Sequence, residues 1–162
     1  FSIADLMNMP GQTEHWDGVR NYQARNMMRD EMKKGDQVFF YHSSCKEPGI
    51  VGIAEVVQEG YPDFTASDPQ SKYYDPKNDP DKPRWYMVDI RFKRKLARTI
   101  PLNELKNYKT LADMRLLARG NRLSIMPVAK KHWDFILKLE NKPVWTHEGV
   151  NNLLCYVSNA PI

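Results

Sequence analysis

Cysteine, histidine and long apolar runs are all scarce in this chain. Its 162 residues include two cysteines, Cys45 and Cys155, far apart and without a Cys-x-x-Cys pair. That pattern builds no disulfide framework and points to free thiols in a reducing compartment. The four histidines, His15, His42, His132 and His147, show no HxxxH spacing, so no metal or other cofactor is expected. No apolar run is long enough to span a bilayer, and no signal-peptide pattern opens the chain. A membrane partner is therefore not expected, and the expected location is intracellular: cytoplasm or nucleoid in a bacterium, nucleus in a eukaryote. Internal repeats are absent. A Gly-x-Ser-x-Gly nucleophile elbow is absent too, and an enzyme is not expected.

What is present suits one folded domain. The hydrophobic fraction is 41% and the charged fraction 27%, the balance of a globular protein with a real core. The net charge of +4 is unevenly spread. Residues 82–140 hold 15 Lys and Arg against 5 Asp and Glu, which leaves the rest of the chain net negative. One basic face, with a polyanion as its natural partner, fits this asymmetry; so does an ordinary solvated basic surface.

Punctuation and periodicity outline the elements. Ser2 caps a short helix over 2–6, with Asp5 placed for a capping box. Asp17 is placed to cap a second helix over 18–32, with Gly35 just beyond its end. Residues 36–44 read as a strand, 46–49 as a turn in which Gly49 accepts positive φ, and 50–57 as the returning strand of a hairpin. Residues 61–83 are rich in Pro, Asp and Lys and form a long loop. Residues 85–93 alternate as a third strand. Short helices are expected at 101–105 and 111–118, a strand at 122–126, and a helix from about Pro127 to Glu140. The tail 141–162 contains Leu153-Leu-Cys-Tyr-Val157, a possible strand. The fold class is α+β, or a barrel decorated with helices.

Several stretches together carry a family resemblance: WDGVRNYQARN at 16–26, FFYHS at 39–43, KEPGIVGIA at 46–54, YDP at 74–76, PRWYMVD at 83–89, IPLNEL at 100–105 and RLSIMP at 122–127. On these the chain resembles the EVE domain family across residues 1–140. The resemblance implies a PUA-like β-barrel with short helices. It also implies a non-enzymatic module that holds a modified base, modified cytosine in DNA foremost, in an aromatic pocket. An RNA- or tRNA-binding module is the alternative within the binding class, and a base- or nucleotide-processing enzyme is the rival outside it. A monomer is expected. The family's first strand, which precedes the segment starting at Phe1, is missing here. An upstream segment is expected to supply it, or another strand to replace it, with 153–157 the candidate. The tail 141–162 has no family counterpart.

Candidate site residues follow from chemistry that suits a flipped base. Such a base needs a stacking surface and partners for its Watson–Crick edge. On the 36–44 strand Tyr41 and Ser43 share a face with Phe39, while His42 points the other way; adjacent His42 and Ser43 therefore cannot form a nucleophile couple. Trp16, Arg20, Asn21, Tyr22 and Arg25 lie at the start of and along the second helix. Asn21 offers both a donor and an acceptor, the arginines can clamp phosphate or stack, and Trp16 and Tyr22 offer ring faces. Tyr22 suits helix packing equally well. Trp85 is the available aromatic of its strand, and Tyr86 its core side chain. Arg122 and Ser124 share one face of the strand at 122–126. Arg91, Lys93, Arg94, Lys95 and Arg98 form the densest basic run.

Overall fold

A computed structural model describes residues 1–121, 123–141 and the backbone of 153–158. The first helix, α1 (Ile3–Asn8), begins as its sequence dictates: Ser2 Oγ accepts from Asp5 N and Asp5 accepts from Ser2 N, closing the capping box. Strand β1 (Thr13–Trp16) follows. Helix α2 (Tyr22–Asn26) continues through one π-helical turn, Met27–Glu31. This corrects the expected helix over 18–32. Its N-cap is Asn21, whose Oδ1 accepts from Ala24 N, and not Asp17. Residues 17–20 are diverted because Gly18 N donates to Asp63 instead of entering a helix.

The hairpin is present as β2 (Gln37–His42) and β3 (Gly49–Pro62). Gly49 does not serve positive φ as expected. It lies inside β3, where a Cβ would stand 2.5 Å from Ile100 O on the neighbouring strand. The long loop is ordered by a repeated local device. Asp63, Asp68, Asp75 and Asp79 each accept from the backbone N–H two residues on, an Asx turn that needs no periodicity. Strand β4 (Tyr86–Pro101) is far longer than the expected 85–93. It leads into α3 (Leu102–Leu105). The expected helix over 111–118 is two separate 3₁₀ turns, Lys109–Leu111 and Arg115–Leu117. Strand β5 (Ile125–Pro127) and helix α4 (Lys130–Glu140) follow, and β6 (Leu153–Ser158) covers the Leu-rich run of the tail.

The six strands form one sheet in the order β1-β4-β3-β2-β6-β5. Neighbours are antiparallel except β2 and β6, which run parallel. Among the described residues no ladder joins β1 to β5, so hydrogen bonding does not close the expected barrel. Both end strands are short, and among the described residues each pairs on one side alone.

Strand β2 lies at the middle of the packing. Val38 and Phe40 enter one hydrophobic cluster with α1, α2 and Trp16. Phe39 and Tyr41 enter a second with Trp133 and Ile136 of α4. Alternation along the strand divides its side chains between the two, and Phe39 stacks on Trp133 at 3.7 Å. No buried side-chain nitrogen or oxygen among the described residues lacks a hydrogen-bond partner. No helix among them is long and apolar enough to cross a membrane.

Candidate nucleic-acid interface

The loop before α2 is bolted to the long loop by a buried carboxylate. Asp63 Oδ2 accepts from Gly18 N at 2.9 Å and from Arg20 Nη1 at 2.9 Å; its Oδ1 accepts from Thr65 N and Thr65 Oγ1. Burial works to raise the Asp63 carboxyl, but the bonds from Thr65, Gly18 and Arg20 outweigh it and hold the pKa below the usual value. Gly18 has φ +76°, and a Cβ there would stand 2.5 Å from the Tyr73 ring, so glycine is required twice over.

Arg20 is the other half of this latch. It donates through Nε and Nη2 to Tyr73 O, through Nη1 to Val19 O and Asp63, and through Nη2 to Thr65 Oγ1. A guanidinium has five N–H donors, so Arg20 as it stands has none left for a bidentate phosphate clamp. Its Cζ also lies 5.4 Å from the Trp85 ring centroid.

Trp85 links this latch to the surface. Its indole N–H donates to Asp75 Oδ2 at 2.8 Å, the main reason the Asp75 carboxyl is held below its ordinary value. Tyr22 stacks on Trp85 at 5.0 Å and 21°. Arg25 lies 4.9 Å from the Tyr22 ring centroid and donates to Arg84 O. Tyr22 is 54% exposed, and Asn21, also exposed, keeps its amide N–H groups clear of its capping bond. Arg20, Asn21, Tyr22, Arg25 and Trp85 are thus brought together. Trp85 itself is buried, contrary to its expected availability, because its ring turns under Tyr22; Tyr86 is only half-buried, while Met87 is fully buried.

The remaining candidates lie elsewhere. Trp16 is not in a loop but ends β1 opposite Val88, in the first hydrophobic cluster. Tyr41 is 3% exposed and belongs to the second. The two rings are therefore core surfaces of different clusters. His42 Nε2 accepts from Ile3 N at 3.1 Å and the ring lies edge-on to Phe40. Burial lowers the His42 pKa, keeping the imidazole neutral and able to accept. Ser43 and Ser124 are half-buried, just beyond the end of β2 and just before β5. Arg122 lies outside the described residues. Cys45 is a free thiol, and no three His, Cys, Asp or Glu side chains gather as a metal site among the described residues.

The sequence pattern of the EVE domain matches residues 1–139. The chain belongs to the EVE domain family. It is 51% identical over 150 residues to thymocyte nuclear protein 1 of Danio rerio, covering 88% of this chain and 64% of that protein. The chain thus spans just under two thirds of that relative's length. A crystal structure of human THYN1 protein in complex with 5-methylcytosine containing DNA is similar at 49% identity and TM-score 0.84, over 89% of this chain and 88% of that one. A crystal structure from Pseudomonas putida is similar at 45% identity and TM-score 0.82, over 86% of this chain and 92% of that one.

In this EVE domain the basic run lies along β4 from Arg91 to Arg98. Arg91, Lys93, Arg94, Lys95 and Arg98 are all exposed. Arg91, Arg94 and Arg98 face Glu55, Glu140 and Glu104. Lys93 and Lys95 make no ion pair with a described residue. Sequence reasoning missed Asp63, Tyr73 and Asp75, which organise the aromatic cluster. The signal for Asp63 was faint: an Asp two residues before a Thr fits an Asx turn, but so do its neighbours in an Asp-rich loop.

Proposed function

We propose that this EVE domain is a non-catalytic DNA-binding module that holds 5-methylcytosine, or a related modified cytosine, against an aromatic surface. The observation that carries the reading is its likeness, in sequence and fold, to human THYN1 in complex with 5-methylcytosine containing DNA. The local chemistry agrees. Tyr22 offers an exposed ring backed by Trp85, Asn21 offers amide donors to a base edge, and Arg25 lies beside the ring. Arg20 and Asp63 fix the loop that presents them. Ser43, Ser124 and Arg122 are proposed as further polar contacts, with Trp16, Tyr41 and His42 supporting the site from the core. Lys93 and Lys95 supply phosphate contacts. We also read the sheet as the opened-out form of a PUA-like barrel, on the family membership alone, with residues 1–140 as the domain and 141–162 as an added tail.

Fluorescence anisotropy tests this with duplexes carrying one 5-methylcytosine, unmodified duplexes and matching RNA, each over a salt series. The expected result is salt-sensitive binding to DNA that is tightest for the methylated duplex. No binding to any of these at low salt overturns the reading, and tighter binding to the RNA replaces DNA as the polymer.

A further inference from the structure

Asn21 has both a donor and an acceptor on its side chain, and the fold commits the acceptor. Its Oδ1 accepts from Ala24 N at 3.0 Å as the cap of α2, and its main-chain O accepts from Arg25 N at 2.8 Å. The residues before it are held as well, because Asp63 accepts from Gly18 N and from the Arg20 guanidinium. Main chain and amide are therefore fixed together, directly beside the exposed ring of Tyr22.

The amide cannot turn over without loss. With Oδ1 and Nδ2 exchanged, an NH2 group would face the Ala24 N–H, donor against donor, and the cap would be gone. The NH2 is thus the branch left for a ligand: Asn21 is exposed, and no described residue accepts from its Nδ2.

A fixed donor limits which base the surface can hold. On its Watson–Crick edge cytosine carries two acceptors side by side, N3 and O2, next to its amine. Thymine carries O4 and O2 with the N3–H donor between them. An NH2 group therefore matches N3 and O2 of cytosine but meets a donor at N3 of thymine. A site whose polar group is left facing a like group rejects that ligand strongly. The 5-position lies across the ring from O2, so a 5-methyl group leaves this contact untouched.

We propose that Asn21 is a specificity-determining residue: its capped amide donates to N3 and O2 of the held base, which selects cytosine, with or without a 5-methyl group, over thymine. This deepens the DNA-binding reading and rests on it. One amide serves the fold through its oxygen and recognition through its nitrogen, so a substitution that keeps the cap and changes the donor separates the two roles.

The test is fluorescence anisotropy on the full chain, with duplexes carrying one 5-methylcytosine or one thymine opposite an abasic position. Both bases are then unpaired and both bear the 5-methyl group, so extrusion costs are similar and the Watson–Crick edge is what differs. The wild type is expected to bind the 5-methylcytosine duplex about tenfold or more tightly than the thymine duplex. Asn21→Asp keeps a capping acceptor, so the melting temperature should hold, but it puts an acceptor where the NH2 stood. The preference for 5-methylcytosine should vanish or reverse, since a carboxylate accepts from thymine N3–H. The added negative charge weakens both complexes alike, which is why the ratio of affinities is read. Asn21→Ser also caps, drops the NH2 and should abolish the preference; it carries the test if the aspartate variant does not fold. A wild type that binds the two duplexes equally overturns this proposal and leaves the DNA-binding reading standing. An unchanged ratio in either folded variant does the same. Binding to neither duplex at low salt overturns the reading and the proposal together.

Discussion

Asp63 accepts four hydrogen bonds from three residues, and its own burial makes each of them matter. Asp63→Asn keeps the size but removes the charge and turns one acceptor into a donor facing other donors. The expected loss is about 1–3 kcal/mol of stability in urea unfolding; an unchanged midpoint would show that the latch is not structural. Trp16 and Tyr22 form a contrasting pair. Trp16→Ala empties a core site and should cost about 3–5 kcal/mol, leaving the DNA affinity of the folded fraction unchanged. Tyr22→Ala removes an exposed ring, so stability should hardly move while binding weakens by about 1–3 kcal/mol. Measuring melting and anisotropy on the same samples separates the two, and the reverse pattern would exchange their roles. His42 carries a pH dependence. Its folded pKa lies below its unfolded value because burial disfavours the cation. Stability is therefore full above about pH 6.5 and falls as the pH drops from there toward the folded pKa, where the unfolded chain binds the proton first. His42→Gln keeps an acceptor that does not titrate and should flatten that part of a melting-temperature profile; equal slopes in the two proteins would remove His42 as the cause.

Strand β4 shows how one element serves two purposes. Its first half pairs with β1 and β3 on its two sides, but β1 reaches only to Arg91. Beyond that point an open edge would invite pairing with another chain. Two devices cover it. Exposed cationic side chains crowd the strand, and the end of α4 caps it: Glu140 Oε1 accepts from Ala97 N at 2.6 Å and from Arg94, while Leu139 O accepts from Arg98. The glutamates occupy the arginines and leave Lys93 and Lys95 available. A Lys93→Ala, Lys95→Ala double variant should therefore bind methylated and unmodified duplexes equally more weakly. The slope of log affinity against log salt should become shallower by about 2 if each lysine neutralises one phosphate. A changed preference for the methylated base, with the slope intact, would place these lysines at the base instead.

At the scale of the whole molecule, the proposed function assigns recognition to two parts, the uneven charge and the aromatic cluster. On the proposed function, the basic half would supply attraction to any polyanion and the small cluster around Tyr22 the choice of base, because phosphate contacts position and base contacts specify. Raising salt should thus weaken binding to methylated and unmodified DNA in parallel, with the ratio of their affinities nearly constant. Parallel titrations at two salt concentrations check this, and a ratio that collapses toward one would mean that the preference is itself electrostatic.

Local chemistry was legible without coordinates. The Ser2 capping box, the hairpin of β2 and β3, the helix ending at Glu140 and the strand in the tail are each written in residues a few positions apart, where hydrogen-bonding geometry and alternation act directly. Family membership was legible too, from stretches such as WDGVRNYQARN, and it pointed to Arg20, Asn21, Tyr22 and Arg25. What the sequence could not show was which residues are buried and against what. Trp16 and Trp85 look alike as aromatic side chains beside a turn, yet one is core and the other backs a surface ring. Arg20 reads as a phosphate clamp until Asp63, Thr65 and Tyr73 are seen to take its N–H groups, and the start of α2 moves because Asp63 holds Gly18. These outcomes depend on contacts between residues more than forty positions apart, which no local pattern encodes. The order of the sheet was decided the same way: 153–157 could be named in advance as a strand, but its parallel pairing with β2 and antiparallel pairing with β5 join residues far apart in sequence and are fixed only in the folded chain.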